Sequence, residues 1–251
     1  MNDRMPLLVL GTTLLAFNPM SAGAAVTTSG CGGSADTCTM TQLLGGGEFT
    51  AGDLRFHTFS LFFGGGPFDK VIDEDTISLT GLDDAGFDPG PGFRFNGNGE
   101  LATAVGETIG YVFDFKVDQV GGLATMKDSS LKAGTGSVGP EDEWRVQGRS
   151  PSGNFFPDLE IVDSAITVEE VLFDSFTFAP TSSLTARNAI VLDSQNVFGD
   201  STGATLDDYT FRVSAVPLPA ALPLLLSALG LLTVIGKRRS GLLHQQDALA
   251  A

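Results

Sequence analysis

Alternation of apolar and polar side chains is the clearest structural signal in the middle of the chain. From Tyr111 to Asp118 the sequence reads YVFDFKVD, in which every second residue is large and apolar. A period of two places successive side chains on opposite faces of an extended strand. The pattern therefore predicts a strand in which Asp114 and Lys116 face solvent or a second layer. Its buried face carries Tyr111, Phe113, Phe115 and Val117.

Weaker versions of this alternation predict further strands. Two Phe-rich segments, Leu54–Phe63 and Val171–Phe178, change phase partway along, which indicates a β-bulge in each. The phase changes fall between Phe56 and Phe59 and between Phe173 and Phe176. The remaining predicted strands are Tyr209–Val213 with Tyr209, Phe211 and Val213 inward, Thr76–Leu82 with Ile77 and Leu79 inward, Leu159–Val168, and Ala186–Leu192.

Turn-forming residues separate these segments, and the apolar content suits a β fold. Clusters of Gly, Asp, Pro and Ser lie between the segments, and the chain has 19 Phe against one Trp. No segment before Pro217 keeps a helical period, although Ala165–Leu172 has room for one or two helical turns. Several short strands joined by turns predict an all-β domain, a two-layer β-sandwich of jelly-roll type, with a closed barrel as the alternative.

The C-terminal segment Val216–Arg239 has three parts in a fixed order. The Pro-rich tetrad Val216–Pro219 opens an uncharged run of 21 residues that ends at Gly236, and the basic cluster Lys237–Arg239 follows. As a helix the run would span roughly 31 Å, about the thickness of a bilayer core. The prolines disfavour helix in the tetrad, and the basic cluster is expected to be cytoplasmic. A plain membrane anchor after a proline linker is one interpretation.

The same order of parts resembles the PEP-CTERM sorting signal, in its VPLPA-type variant. In that family a Pro-x-Pro motif, a hydrophobic helix and a basic cluster are recognised by exosortase, a membrane-embedded cysteine transpeptidase. The resemblance implies export through the inner membrane of a Gram-negative bacterium and transient anchoring by the transmembrane helix. It further implies processing, delivery to the cell envelope or extracellular matrix, and a link with exopolysaccharide or biofilm. The matching residues are Val216, Pro217, Leu218 (where the commoner form has Glu), Pro219, Ala220, Lys237, Arg238 and Arg239; residues 240–251 would form a short cytoplasmic tail.

The first 24 residues are organised like a secretory signal peptide. Arg4 supplies a positive charge, Met5–Phe17 is an apolar stretch too short to span a bilayer comfortably, and Ala22–Ala24 is a small-residue cleavage site. We therefore expect the mature protein to begin near Ala25 and the exported β-rich domain to comprise residues 25–215. An uncleaved signal anchor is the alternative.

Cys31 and Cys38 are the two cysteines of the chain, and both follow the expected cleavage site. Exported proteins meet an oxidising compartment, so we predict a Cys31–Cys38 disulfide that fixes an N-terminal flap. The loop that it closes is short, and the bridge is expected to contribute roughly 2–3 kcal/mol. A redox or metal-binding pair is the alternative, but the spacing and the lack of a nearby histidine match neither pattern.

The chain is strongly acidic, with a net charge of −16. The terminal segments contain four of the 14 basic residues and only two of the 30 acidic residues, so the exported part is more acidic than the whole chain. Such a surface repels nucleic acid and attracts cations. Gly81–Glu100 places Asp83, Asp84 and Asp88 among Gly and Pro residues, which predicts a weak calcium site with these three ligands. A solvated turn region is the alternative, and no other cofactor is expected.

Candidate catalytic residues are few. His57 lies inside a predicted strand, and His244 lies beyond the basic cluster. A lone histidine in a strand is more often structural than catalytic, so no catalytic residue is assigned. The sequence therefore predicts that the protein is not an enzyme.

Three functional hypotheses are compatible with these features. The first is a non-enzymatic surface or extracellular-matrix protein of structural or interaction type. The second is a lectin-like carbohydrate-binding module, with or without a calcium requirement, whose partner would be extracellular polysaccharide. Against it, the chain has one tryptophan, Trp144, and two tyrosines, whereas sugar-binding platforms favour exposed Trp and Tyr. A polysaccharide hydrolase ranks last because no catalytic motif is present.

Overall fold

The computed structural model describes residues 25–65, 70–83, 90–120, 125–149, 159–166, 169–195 and 198–216. Within these ranges the chain is mostly β-strand, with one short helix. In chain order the elements are β1 (Thr27–Ser29), β2 (Thr37–Thr39), α1 (Met40–Leu44), β3 (Glu48–Ala51), β4 (Leu54–Gly65), β5 (Ser78–Leu82), β6 (Gly92–Asn96), β7 (Thr108–Gln119), β8 (Thr125–Ala133), β9 (Gly136–Ser137), β10 (Asp142–Arg149), β11 (Leu159–Ser164), β12 (Glu169–Val171), β13 (Phe173–Thr181), β14 (Ser183–Ser194), β15 (Thr205–Leu206) and β16 (Asp208–Val216).

Fourteen of the strands form two large antiparallel sheets that pack face to face, and β9 and β15 pair in a separate two-stranded sheet. The first has eight strands in the order β1-β3-β4-β7-β14-β10-β11-β12, and the second has six in the order β13-β8-β16-β6-β5-β2. Aromatic rings connect the two layers, because Phe93 of β6 lies 5.9 Å from Phe56 of β4 and 5.3 Å from Phe115 of β7, measured between ring centroids. The predicted β-sandwich is confirmed for the described part of the chain, where the sheets are open and do not close into a barrel.

The central strand β7 has the faces that its alternation predicts. Its four apolar residues from Tyr111 to Val117 are fully buried, whereas Asp114 and Lys116 lie on the opposite face. β7 pairs with β4 on one side and β14 on the other, so it lies in the interior of its sheet. The inward residues predicted for Tyr209–Val213 and Thr76–Leu82 are confirmed as well, since Tyr209, Phe211 and Val213 of β16, Leu79 of β5 and Ile77 directly before β5 are all buried.

The bulge predicted in β4 is confirmed, and a second one follows it. The register of β4 against β7 shifts between His57 and Ser60 and again between Leu61 and Phe63. Thr58, inside the first shift, has φ of 55°, a conformation that is unusual for a β-branched residue. Bulges change the direction in which the following side chains point, which determines the outer face of this sheet.

The bulge predicted between Phe173 and Phe176 is wrong. Val171 ends β12 in the eight-stranded sheet, and Phe173 begins β13 in the six-stranded sheet. Pairing of β13 with β8 runs without interruption from Phe173 to Thr177, and the register shifts only after Thr177. Phe173 is exposed on the outer face of β13, whereas Phe176 and Phe178 pack against the core, so these residues lie on opposite faces of one regular strand and no extra residue separates them.

The helical expectations also need correction. Glu169–Val171, within the segment that had room for helical turns, forms strand β12. The helix of the described residues is instead α1, which begins after Thr39 with a capping box formed with Gln42. Five residues are too few to show a 3.6-residue period, so this helix carried no detectable signal.

The terminal segments 1–24 and 217–251 lie outside the described residues, and the signal peptide and sorting signal stay predictions. The described part of the chain contains no helix with the length and apolarity needed to cross a membrane.

Candidate functional site

The residues predicted for the sorting signal meet the described structure at one point. Val216 is the last residue of β16, opposite Thr125 of β8. The β domain therefore extends to the first residue of the Pro-rich tetrad. Pro217, Leu218, Pro219, Ala220, Lys237, Arg238 and Arg239 lie outside the described residues.

The predicted calcium ligands are only partly placed. Asp84 and Asp88 lie outside the described residues, while Asp83 follows β5 and its carbonyl oxygen is 3.5 Å from Nη1 of Arg212. No cluster of three or more acidic, histidine or cysteine side chains suited to a metal ion occurs in the described part. The calcium site stays a prediction.

The neighbouring acidic trio Asp73–Asp75 closes a turn. The carboxylate of Asp73 accepts hydrogen bonds from the backbone N–H of Asp75 at 3.0 Å and from the hydroxyl of Thr76 at 3.2 Å. Aspartate commonly stabilises turns in this way. The contacts of Asp73 are thus those of a turn residue.

Cys31 and Cys38 form the predicted disulfide, with their Cα atoms 4.9 Å apart. Both cysteines are buried. Cys31 follows β1, an edge strand of the eight-stranded sheet, and Cys38 lies in β2, an edge strand of the six-stranded sheet. The bridge therefore ties the edges of the two layers together, a larger role than the N-terminal flap that the sequence predicted.

His57 cross-links strands of the eight-stranded sheet. Its Nε2 lies 2.8 Å from Oδ2 of Asp118 in β7, and its Nδ1 lies 2.7 Å from Oγ1 of Thr58. The hydroxyl of Ser183 in β14 also donates to Asp118. This hydrogen bond, followed by the contacts with His57, lowers the pKa of Asp118 although partial burial acts in the opposite direction. Contacts that span three strands support the structural role predicted for His57.

A depression of about 490 Å³ lies on the outer face of the eight-stranded sheet. One row of directly opposed residues crosses it from β4 to β10, with Phe63 opposite Val112, Val112 opposite Ala189, and Ala189 opposite Gln147. A second row runs parallel to the first. It consists of Ser60, Asp114, Arg187 and Arg149. We call this surface, together with Phe62, the Phe62 depression.

The bulge in β4 produces the aromatic side of the depression. Since the register shifts between Leu61 and Phe63, Phe62 has no partner in β7, and both phenylalanines stay accessible, Phe62 at 68% and Phe63 at 51%. Gly110 of β7 makes room for Phe63, because a Cβ atom at that position would come within 2.9 Å of the ring. The sheet backbone therefore fixes where the two rings stand.

An ion pair forms the polar side of the depression. Nε and Nη2 of Arg187 donate to the two carboxylate oxygens of Asp114 at 2.6 and 2.8 Å. The hydrogen bond with Asp114 raises the pKa of Arg187, and the guanidinium group lies 4.3 Å from the centroid of the Phe62 ring. A bidentate pair holds a guanidinium in one orientation, and stacking on the ring adds to this restraint. The donors are therefore positioned before any ligand arrives.

The arrangement suits a ligand with alternating apolar and hydroxyl surfaces. Aromatic ring faces pack against C–H groups, while Arg187, Asp114 and Gln147 provide fixed donors and acceptors. Gln147 is itself oriented by donating to Glu160 Oε1 at 3.0 Å. These groups can bind and orient a ligand.

The aromatic residues used in the sequence argument are not on this surface. Trp144, Tyr111 and Tyr209 are all buried in the core. The sequence analysis missed Phe62 and Phe63 as site residues. A usable signal existed, because three consecutive apolar residues, Leu61 to Phe63, cannot all face inward in a strand of period two.

The fold and the depression together define an all-β sandwich with an accessible aromatic and polar surface on one sheet. No protein-family profile and no curated protein matches the chain. Among solved structures, the chain is similar to TmCBM61, determined in complex with beta-1,4-galactotriose. The sequence identity is 10%, the match covers 61% of this chain and 87% of that chain, and the TM-score is 0.24. A similarity at this level supports no conclusion about ligand or function.

Proposed function

We propose that the protein is an exported, non-catalytic extracellular-matrix protein whose β-sandwich binds polysaccharide in the Phe62 depression. The observation that carries this proposal is the exposed Phe62 ring, 68% accessible, with the Arg187 guanidinium held 4.3 Å from its centroid. Exposed aromatic rings next to preorganised polar groups are typical of ligand sites.

The dimensions of the depression favour a short oligosaccharide segment. The row from Phe63 to Gln147 crosses three strand spacings, about 14 Å in all. The row lies on the outer face of the sheet, so a polymer can reach it from the side without a free chain end. The two phenylalanines would pack against sugar rings, and Arg187 and Asp114 would bind hydroxyl groups.

Export and processing form the second part of the proposal. The C-terminal resemblance supports exosortase as the partner that removes the segment after Pro219. We expect the exported protein to begin near Ala25 and to lack the residues from Ala220 onward. Intact mass spectrometry of the protein released from its native host tests this, and a product that still ends at Ala251 would reduce the segment to a plain anchor.

Binding in the Phe62 depression has a direct test. Wild-type protein and the Phe62→Ala variant are compared on an array of neutral polysaccharides and oligosaccharides. We expect the wild type to bind at least one of them, and Phe62→Ala to lower the affinity about tenfold, equivalent to about 1.4 kcal/mol. Loss of one stacking ring accounts for an effect of this size.

Phe198→Ala is the matched control. Phe198 is 85% exposed, and its backbone N–H donates to the carboxylate of Glu141. Glu141 precedes the first residue of β10, whereas Gln147 lies near the last, so Phe198 is at the other end of this strand. Removing this ring should leave binding unchanged. If no glycan binds, or if both variants weaken binding equally, the carbohydrate proposal is wrong. Shortening of the bound polysaccharide during the experiment would contradict the non-catalytic part.

A further inference from the structure

The six-stranded sheet has an outer face of its own, on the opposite side of the sandwich from the Phe62 depression. In the register of its strands Phe173 lies opposite Lys132, Lys132 opposite Thr210, and Thr210 opposite Arg94. A groove of about 350 Å³ lies along this row. We call it the basic groove, and Arg212 of β16 also lines it.

Positive charge is concentrated in the basic groove although the chain as a whole carries a net charge of −16. Lys132, Arg94 and Arg212 line the groove, and Asp208 is the acidic residue among its lining residues. Nε of Arg94 is 3.5 Å from Oδ2 of Asp208, a long contact, and the Arg94 side chain is 52% exposed. Arg212 is held in place by donating to the carbonyl oxygens of Gly90 at 2.6 Å and Asp83 at 3.5 Å. The groove can therefore hold an anion on an otherwise repelling surface.

An exposed aromatic ring lies at one end of the row. Phe173 is 52% exposed and separates the basic groove from a second hollow of about 290 Å³. Thr210 adds a hydroxyl group between Lys132 and Arg94. A ring, a hydroxyl group and spaced cations are suited to an extended ligand that has both apolar faces and negative charges, in contrast to a small inorganic anion.

The spacing of the cations indicates a repeating ligand. Lys132 and Arg94 stand two strand spacings apart across β16, about 9–10 Å, which is comparable to the length of a disaccharide. We infer that the basic groove binds a carboxylated polysaccharide, with Lys132 and Arg94 pairing with carboxylates on alternate sugars and Phe173 packing against a sugar ring. The inference does not depend on the ligand of the Phe62 depression.

The experiment measures binding of a galacturonic acid hexamer to the exported protein by isothermal titration calorimetry at two salt concentrations. We expect Lys132→Ala and Arg94→Ala each to lower the affinity about tenfold and to reduce its salt dependence, because each removes one charge-assisted contact. Lys116→Ala, the same charge change on the outer face of the other sheet, should alter the affinity less than about twofold. Lys132→Ala and Arg94→Ala should leave the binding of neutral glycans in the Phe62 depression unchanged, so the two proposals can fail separately.

Inorganic sulfate and the Phe173→Ala variant separate a carbohydrate site from a simple anion site. Phe173→Ala should weaken hexamer binding and leave any sulfate binding unaffected. The inference is wrong if the hexamer does not bind, or if Lys116→Ala lowers the affinity as much as Lys132→Ala does. It is also wrong if Phe173→Ala leaves the hexamer affinity unchanged while sulfate displaces the hexamer completely. Light scattering measures the oligomeric state in parallel. If the wild type is a dimer and Lys132→Ala dissociates it, the groove binds a second copy of the chain and the inference is wrong.

Discussion

Replacing Phe115 by alanine should lower the free energy of unfolding by about 4 kcal/mol. Phe115 is fully buried on β7, and its ring lies 5.2 Å from Phe211 and 5.3 Å from Phe93, both in the facing sheet. It also stacks on Phe59 of its own sheet at 5.6 Å. Truncation would leave a cavity between two layers whose strands are fixed by hydrogen bonds, so little collapse can compensate. Urea unfolding followed by fluorescence measures the change.

The neighbouring residue provides the control. Lys116 lies on the same strand but faces outward and is exposed, so Lys116→Ala should change the stability by less than about 0.5 kcal/mol. A loss below about 1 kcal/mol for Phe115→Ala would mean that the two sheets do not meet at this ring.

Asp142→Ala is expected to destabilise the protein by about 3 kcal/mol. The Asp142 side chain is fully buried at the start of β10. Its carboxylate accepts the hydroxyl of Ser201 at 2.6 Å and the backbone N–H groups of Gly203 at 2.9 Å and Thr202 at 3.2 Å. Removal of the carboxylate leaves these donors without their acceptor, and it releases the loop before β15 from β10. Chemical unfolding measures the loss.

The exposed residue Asp75 provides a matched control for Asp142. Asp75→Ala removes the same charge from the surface, so its effect should stay within about 0.5 kcal/mol. Equal stabilities for the two variants would show that the buried network of Asp142 contributes nothing beyond its charge.

Acid should reduce the contribution of Asp142 to stability. Burial alone would raise the pKa of this carboxyl, but the hydrogen bonds from Ser201, Ser194 and the backbone N–H groups outweigh burial and lower the pKa below 3.8. A carboxyl with a lowered folded-state pKa stabilises the protein above its unfolded pKa, and the stabilisation is lost as pH falls through the folded value. The stability difference between wild type and Asp142→Ala should therefore be constant above about pH 5 and shrink below about pH 4. A difference that is unchanged down to about pH 2 would contradict this account.

The two proposed ligand surfaces lie on opposite sides of one rigid sandwich. If both bind polysaccharide, a single domain can connect two chains without any second copy. Such bridging fits a structural role in an extracellular polymer, which needs cross-links and no turnover. Rheology of polysaccharide mixed with the protein would report it directly.

Local periodicity decided how much of the fold the sequence could predict. β7 and β16 have one buried and one outer face, so alternation alone gave their type and their inward residues. The short edge strands and the five-residue α1 are too brief to show a period. The segment Val171–Phe178 contains the end of β12 and the start of β13, and alternation of side chains does not show a boundary between two adjacent strands. Export chemistry predicted the Cys31–Cys38 bridge, while its position between two sheet edges depends on the topology.

By itself, the sequence determined the β class of the domain, the disulfide, the inward faces of the strongly alternating strands and the acidic charge. It also carries the terminal segments that predict export and sorting. Tertiary structure alone decided the surfaces, because Phe62, Arg187 and Gln147 come from three distant parts of the chain and meet only through the register of β4, β7, β14 and β10. Periodicity is a local property that each segment carries, whereas a binding face is a set of side chains brought together by hydrogen-bonded strand pairing and one bulge.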